Sequence, residues 1–417
     1  VDETGEKFAD ALIDKAREGV SVRVIYDWAG CFRRTPGRFW SRLAGSGVDV
    51  RCFNRPRLDS PLGWVSRDHR KMLSVDGAVG FVAGLCIARE WEGIPAKSVD
   101  PWRDTGVEVR GPAVPAIEEA FARSWAMTGR PLPPDFHNFQ NTSPGGEASI
   151  RLVEGTPSTA RILRIDQFIA ALATKRLWIT DAYYAGTSAY VQALKELAGD
   201  GADVRLLVPH GTDIPLLRPL SRSGYRTLLE AGVRIFEWNG TMLHAKTAVA
   251  DGIWARVGST NLNISSWLGN CELDIIVEND SFASEMEKMF LYDVSNSTEL
   301  VLDNRRKMRA PGEPRHPRKL IGKGGGSVGR AAAGAMRIGN TVGAAVANRR
   351  VLEPVESRML VLSGVALLLL TSIFAVFPFL LAYPAALVLL WISGILIYRG
   401  LRLRFGKKAG EGTEAGD

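Results

Sequence analysis

Two hydrophobic periods alternate along residues 1–300. In EKFADALIDKAREG the apolar positions follow helical spacing, whereas VSVRVIYDWA is a nearly continuous apolar run expected to form a buried strand. RFWSRLAGSG predicts a further helix and VDVRCFN a further strand. The same order returns later in the chain: SAYVQALKELAGDG, ADVRLLVP, RSGYRTLLEAG and VRIFEWNG predict helix, strand, helix, strand. Each series runs on to a segment with the same His, Lys and Asp spacing. The pattern therefore predicts an α/β protein made of two duplicated sandwich lobes, residues 1–140 and 151–300, related by a pseudo-twofold axis. The second series has an additional helix, TARILRIDQFIAALATKR, and strand, LWITDAYY, in front of it. No equivalent stands ahead of Val1, so the first lobe is expected to be truncated at its N-terminus.

Beyond residue 300 the pattern changes twice. Residues 303–350 are rich in Arg, Lys, Gly, Ala and Pro and cannot build a core; they are expected to be a basic tether, either solvated or lying against anionic lipid. The glycine cluster at 322–326 lacks the lysine and serine or threonine ending of a phosphate loop. Met359 to Tyr398 then runs without a charged residue, about twice the length one membrane span needs. With Pro378 and Pro384 near its middle, it predicts a transmembrane helical hairpin over 359–398. Arg349, Arg350 and Arg358 precede it, and Arg399, Arg402, Arg404, Lys407 and Lys408 follow. By the positive-inside rule both ends, the tail 399–417 and the globular part are expected on the cytoplasmic side of the cell inner membrane.

Composition narrows the picture only a little. With 417 residues, 46% of them hydrophobic, the chain can fill two domain cores. A formal charge of +7 suits an anionic partner without choosing between lipid headgroups and nucleic acid. Cys31, Cys52, Cys86 and Cys271 are too scattered for a zinc or redox motif and are expected to be free thiols.

The chemistry resides in the repeat. SRDHRKMLSVDG and MLHAKTAVADG both contain His, Lys two residues on, and Asp five after that: His69, Lys71 and Asp76 in one, His244, Lys246 and Asp251 in the other. The chain has only five histidines, so the pairing is not incidental. Residues two apart on an extended strand point to one face, so each lobe offers an imidazole beside an ammonium. Packed about a twofold axis, two such pairs would enclose a phosphodiester. One neutral imidazole can attack phosphorus while the other, protonated, donates to the departing oxygen. The lysines, with Ser259, Asn261 and Asn263 of GSTNLN, would offset charge on the non-bridging oxygens. This chemistry requires no metal or other cofactor. Asp76 and Asp251 are expected to anchor the turn after each motif.

The duplicated H-x-K-x4-D followed by GSTNLN resembles the phospholipase D superfamily, and within it the bacterial cardiolipin synthase branch. The resemblance covers residues 1–300. It implies a phosphohistidine intermediate, with His69 as nucleophile and His244 as general acid. It also implies a carboxylate against each imidazole, for which Glu272 in NCELDI and Asp104 in PWRDTGVEVRGP stand in the right places. One departure is VAGLCIAREW, where relatives commonly have Gly-Gly-x-Asn: Ala83 replaces a glycine, and Cys86 stands where the second lobe has Asn261.

The expected function is phosphatidyl transfer, cardiolipin being formed from two phosphatidylglycerols. The expected partners are phospholipid and membrane, not nucleic acid; the sequence leaves the oligomeric state open. Alternatives are a phospholipase-type hydrolase or nuclease of the same superfamily, and a non-catalytic membrane-tethered lipid-binding scaffold. Trp64, Trp102 and Trp267 are aromatic candidates for a lipid groove or for ordinary packing.

Overall fold

The computed structural model describes residues 1–56, 65–133, 136, 145–157, 159–213, 221–222, 224–302, 308–309, 364–365 and 368–406. Helix α1 (Glu3–Arg17) starts at Asp2, whose side chain accepts the Gly5 N–H. Glu3 and Glu6 in its first turn and Lys15 and Arg17 in its last complement the helix dipole. Strand β1 (Arg23–Asp27) leads into the one-turn helix α2 (Trp28–Cys31), followed by α3 (Gly37–Gly45) and β2 (Asp49–Phe53). Strands β1 and β2 pair in parallel. Next come β3 (Met72–Val75), β4 (Val79–Ala83), the short helix α4 (Arg89–Glu92), β5 (Gly106–Arg110) and α5 (Val114–Met127). Strands β3, β4 and β5 form an antiparallel sheet.

The second half opens with β6 (Ser149–Gly155), α6 (Arg161–Leu172), β7 (Arg176–Thr180) and α7 (Ser188–Gly199). It continues with β8 (Asp203–Pro209), α8 (Tyr225–Glu230), β9 (Arg234–Trp238), β10 (Thr247–Ala250) and β11 (Trp254–Gly258). It ends with β12 (Glu272–Glu278), α9 (Asp280–Ser295), β13 (Ser297–Leu302) and β14 (Met308–Arg309). These strands form one sheet in the order β14-β13-β9-β8-β7-β10-β11-β12-β6.

Strand β7 is what the two halves do not share. It pairs in parallel with β8 and antiparallel with β10, and so welds the two parts of its sheet. Among the described residues the first half has no such strand. Its sheet therefore lies in two pieces, in keeping with LWITDAYY having no counterpart in the first series. For the same reason β1, expected to be buried, is half-buried along its whole length. Leu73, Val75 and Phe81 are exposed, whereas their counterparts 175 residues on, Ala248, Ala250 and Arg256, are buried on the face that α6 and α7 cover.

The halves meet through apolar side chains. Val82 of β4, Val109 of β5 and Val114 and Ile117 of α5 share a core with Leu273, Ile275 and Val277 of β12. The helix that follows β12 plays the reciprocal part: Ala283, Met286 and Phe290 of α9 pack on Trp178, Leu207 and Val257, with Val107 of β5 against them. Both halves lie within one compact unit, Val1–Pro56 with Leu62–Arg337.

A second unit comprises Arg57–Pro61 and Ile338–Asp417. Its described residues are helical over 368–376, break at Phe377 and Pro378, and resume as α10 (Phe379–Gly406) with Pro384 inside the helix. The break thus falls at Pro378 and not at Pro384, and α10 runs past Tyr398 into the expected tail. Among the described residues no helix is long and apolar enough to cross a membrane. Parts of the expected hairpin and tail, and all of the 303–350 tether except Met308 and Arg309, lie outside the described residues.

Candidate active site

The histidines stand immediately ahead of β3 and β10, at the lead-in to each strand and not within it. Each lead-in is held by the opposite half. The His69 N–H donates to the Cys271 carbonyl (2.9 Å) and the His244 N–H to that of Arg103 (2.7 Å). Return bonds run from the Cys271 N–H to the Arg67 carbonyl (2.7 Å) and from the Arg103 N–H to that of Met242 (2.9 Å). This exchange is the pseudo-twofold relation at atomic scale. It brings the residue after Cys271, and the residue after Arg103, to the imidazole of the other half.

Those residues are the carboxylates expected from the sequence. His69 Nδ1 donates to Glu272 Oε2 (2.9 Å) and Oε1 (3.0 Å), and His244 Nδ1 donates to Asp104 Oδ2 (2.8 Å). A proton on Nδ1 facing each carboxylate puts the ring lone pair on Nε2; Lys246 Nζ also lies 2.9 Å from His244 Nδ1. The lysines reach back beside their own motif: Lys71 Nζ donates to the His69 carbonyl (2.6 Å) and Lys246 Nζ to the His244 carbonyl.

The His244 and Lys246 side of the site is buried and the His69 and Lys71 side half-buried, and the ionisation of its groups follows. Burial pushes His69 well below its ordinary value, with Lys71, Arg67 and Lys246 adding repulsion. Burial and then Lys246 bring His244 down to about 4, against the pull of Asp104 and with a further push from Lys71. Each imidazole therefore feels the lysine of the other half. Burial brings Lys246 down to about 8. Burial would raise Asp104, but the His244 hydrogen bond and the charges of His244 and Lys246 hold it below the usual carboxylate range. Burial keeps Glu272 above its ordinary value despite Lys71 and Ser259.

A consequence can be measured. The folded His244 pKa, about 4, lies below the unfolded value of 6.5, so between them the unfolded chain binds more protons. The stability contributed by neutral His244 is complete above pH 6.5 and is lost as pH falls toward 4. Asp166 and Asp181, raised by burial to about 6 and about 7, act in the opposite sense, so the informative quantity is a difference. Urea unfolding of His244→Gln should lose less stability than the parent between pH 7 and pH 4.5, by on the order of 2 kcal/mol.

The remaining expected residues divide. Ser259 Oγ donates to Glu272 Oε2 (2.6 Å), so it orients the carboxylate. Asn261 is buried, and among the described residues its Oδ1 has no hydrogen-bond partner. The Asn263 amide donates to the Tyr183 carbonyl (3.1 Å) and accepts from the Ser266 N–H (3.1 Å), so it also holds the chain around it. Asp251, at φ 53°, accepts the N–H groups of Thr174, Lys175 and Arg176 and so ties the turn after β10 to the start of β7. Asp76 adopts the same left-handed conformation, φ 54°. Cys86 is exposed, and all four cysteines are free thiols. Among the described residues no cluster of His, Cys, Asp and Glu is placed to hold a metal ion.

Of the aromatic shell of His244, sequence reasoning singled out Trp102 and missed Trp91 and Tyr183. Trp91 and Tyr183 approach its ring edge-on, at centroid separations of 5.1 and 5.8 Å, and Trp102 lies at 5.9 Å. Trp267 is core, donating to Asp166 (3.0 Å), and Trp64 lies outside the described residues. Asp181, buried at the end of β7 and accepting from the Leu262 N–H (2.8 Å), also acts electrostatically on Lys246.

Comparison with known proteins agrees with this geometry. A family model described as cardiolipin synthase, phospholipase D-like domain, matches residues 167–294. Cardiolipin synthase A of Pseudomonas fluorescens is 32% identical over 313 residues, 73% of this chain and 64% of the relative. The cardiolipin synthase of Geobacillus kaustophilus is 33% identical over 302 residues, 71% of this chain and 60% of the relative. The chain belongs to the phospholipase D superfamily. It spans somewhat less than two thirds of the length of these curated relatives. Among solved phospholipase D-like folds, the phosphatidylserine synthase of Haemophilus influenzae matches with a TM-score of 0.54 at 14% identity, covering 73% of this chain and 81% of that one. At that identity the likeness concerns the fold alone.

Proposed function

We propose that this chain is a membrane-associated phosphatidyltransferase that joins two phosphatidylglycerols into cardiolipin through a phosphatidyl-histidine. The observation that carries the reading is the reciprocal pairing of His69 with Glu272 and His244 with Asp104, each imidazole beside a lysine. His69 Nε2 attacks phosphorus, a P–N bond forms, the bond to the leaving glycerol oxygen breaks, and His244 gives that oxygen its proton. The acceptor hydroxyl then loses its proton to His244 and attacks phosphorus, and His69 leaves. Atoms and protons balance with one diester exchanged for another. In the free protein His244 is neutral near pH 7; an anionic phosphodiester beside it adds opposite charge and raises it toward the protonated form. Lys71 and Lys246 offset the charge that builds on the non-bridging oxygens.

The charge-free run from Met359 to Tyr398 and the basic residues on both sides of it favour a membrane hairpin, with the catalytic part on the cytoplasmic side of the inner membrane. The basic 303–350 tether would then lie against anionic headgroups and keep the site at the lipid surface. Both His–carboxylate pairs are intact, which disfavours a scaffold that has lost its chemistry. Incubating the purified chain with phosphatidylglycerol vesicles is expected to yield cardiolipin and free glycerol. Phosphatidic acid as the sole lipid product would eliminate the transferase reading in favour of hydrolysis.

A further inference from the structure

The two imidazoles are oriented by carboxylates that are themselves held in different ways. Glu272 is fixed by polar groups of its own half, Ser259 Oγ on Oε2 (2.6 Å) and Asn270 Nδ2 on Oε1 (3.2 Å). The first-half counterpart of Ser259, 175 residues earlier, is Gly84, which has no hydroxyl to offer. A Cβ at Gly84 would lie 2.2 Å from Asp104 Oδ1, so the carboxylate occupies the space that a serine side chain would need. The missing donor arrives from elsewhere: Trp91 Nε1 donates to Asp104 Oδ2 (2.8 Å), the oxygen that also accepts from His244 Nδ1. Asp104 Oδ1 accepts only from the local Thr105 N–H (2.8 Å) among the hydrogen bonds of the described residues.

Trp91 is placed for this by its surroundings. It stands on α4, whose Arg89 N–H donates to Asp2 Oδ2 (2.8 Å) at the start of α1. The Glu90 carbonyl accepts the Trp102 N–H (2.8 Å), which ties α4 to the segment ahead of β5 that carries Asp104. Gly93 ends the helix at φ 78°, where a Cβ would meet the Val99 carbonyl oxygen at 2.8 Å. The indole is thus fixed both as a hydrogen-bond donor to Asp104 and as an edge-on neighbour of the His244 ring.

We propose that Trp91 is a positioning residue for the reaction: its indole N–H holds the Asp104 carboxylate in the orientation that aligns His244 for proton transfer, the task Ser259 performs for Glu272. The inference rests on the functional reading above, in which His69 attacks and His244 transfers protons. Trp91 acts only through His244, so its N–H matters in steps where His244 moves a proton. It is dispensable where the leaving group departs as a stable anion.

Trp91→Phe keeps an aromatic ring and removes the donor, and the full chain in detergent can be assayed with two substrates. With bis(p-nitrophenyl) phosphate, p-nitrophenolate leaves unprotonated; the stopped-flow burst rate should stay within about twofold of the parent. The slower turnover that follows, in which His244 must deprotonate water, should fall roughly tenfold. With phosphatidylglycerol, whose glycerol oxygen must be protonated, kcat should fall roughly tenfold with KM little changed. An equal loss in burst and turnover would make Trp91 a packing residue and overturn the proposal, as would a variant unchanged in every rate. A parent protein with neither burst nor phosphatidylglycerol turnover would instead overturn the functional reading on which the proposal stands.

Discussion

Replacing His69 with alanine is expected to lower phosphatidyl transfer by about four orders of magnitude or more, because no other group is aligned to form the bond to phosphorus. The fold should survive the change. The His69 side chain bonds to Glu272 and to the Ser259 backbone, and the carboxylate retains Ser259 and Asn270 as donors. The backbone bond from His69 to Cys271 does not depend on the side chain. Product analysis on phosphatidylglycerol vesicles, with circular dichroism to verify folding, reads the effect. A folded His69→Ala protein that still made cardiolipin at a tenth of the parent rate would remove His69 from the chemistry.

The largest expected effect on stability lies away from the site. Arg256 is buried within the second sheet, 1% exposed, between two carboxylates: Nη1 donates to Asp274 Oδ2 (2.8 Å), and Nε stands 3.4 Å from Asp166 Oδ1. Burial raises Asp166 to about 6 and raises Asp274 as well, each only partly offset by the guanidinium. Arg256→Met fills similar space but leaves both acids without their cation in an interior that solvates charge poorly. The cost at neutral pH should be about 3–5 kcal/mol, read as a shift in the urea midpoint. The sign of its pH dependence is also fixed. With Arg256 gone, both carboxyls have folded pKa values raised above their unfolded ones, so stability is greatest at low pH and is lost as pH rises through the folded values. The deficit should be smaller at pH 5 than at pH 8. A deficit independent of pH would mean that the arginine contributes packing alone.

The parts of the site that were legible in the sequence are those set by short-range geometry. His and Lys two residues apart, written twice with the same aspartate spacing, define two equivalent lead-ins whatever lies around them. The helix and strand order of each half could be read for the same reason, since β2, α7, β8, α8 and β9 fall within the segments whose periodicity marks them and α3 starts one residue ahead of its own. Glu272 and Asp104 needed a resemblance, because only the crossed backbone pairing of Cys271 with His69 and of Arg103 with His244 carries each acid to the other half. Asn263 was marked by its place in GSTNLN, but its bonds to Tyr183 and Ser266 involve groups that the sequence does not mark as its neighbours. Trp91 was hidden for a related reason. In IAREWEG it has the look of a helix-face aromatic, and its role depends on Gly84 lacking a hydroxyl and on a loop that returns Asp104 to its indole. The split sheet of the first half follows from an asymmetry the sequence does display, LWITDAYY having no counterpart in the first series, although nothing in β1 or β3 themselves marks it.

The central claim is that the two imidazoles act on one phosphorus atom, His69 as the atom that bonds to it and His244 as the proton carrier. The most direct measurement is mass spectrometry of the protein mixed with phosphatidylglycerol and quenched at alkaline pH, where a phosphorus–nitrogen bond endures. The account predicts a phosphatidyl adduct on the peptide that contains His69 and none on the peptide that contains His244, in the parent chain and, accumulating more slowly, in His244→Asn. Cardiolipin formation with no adduct on His69, or with the adduct on His244, would contradict it.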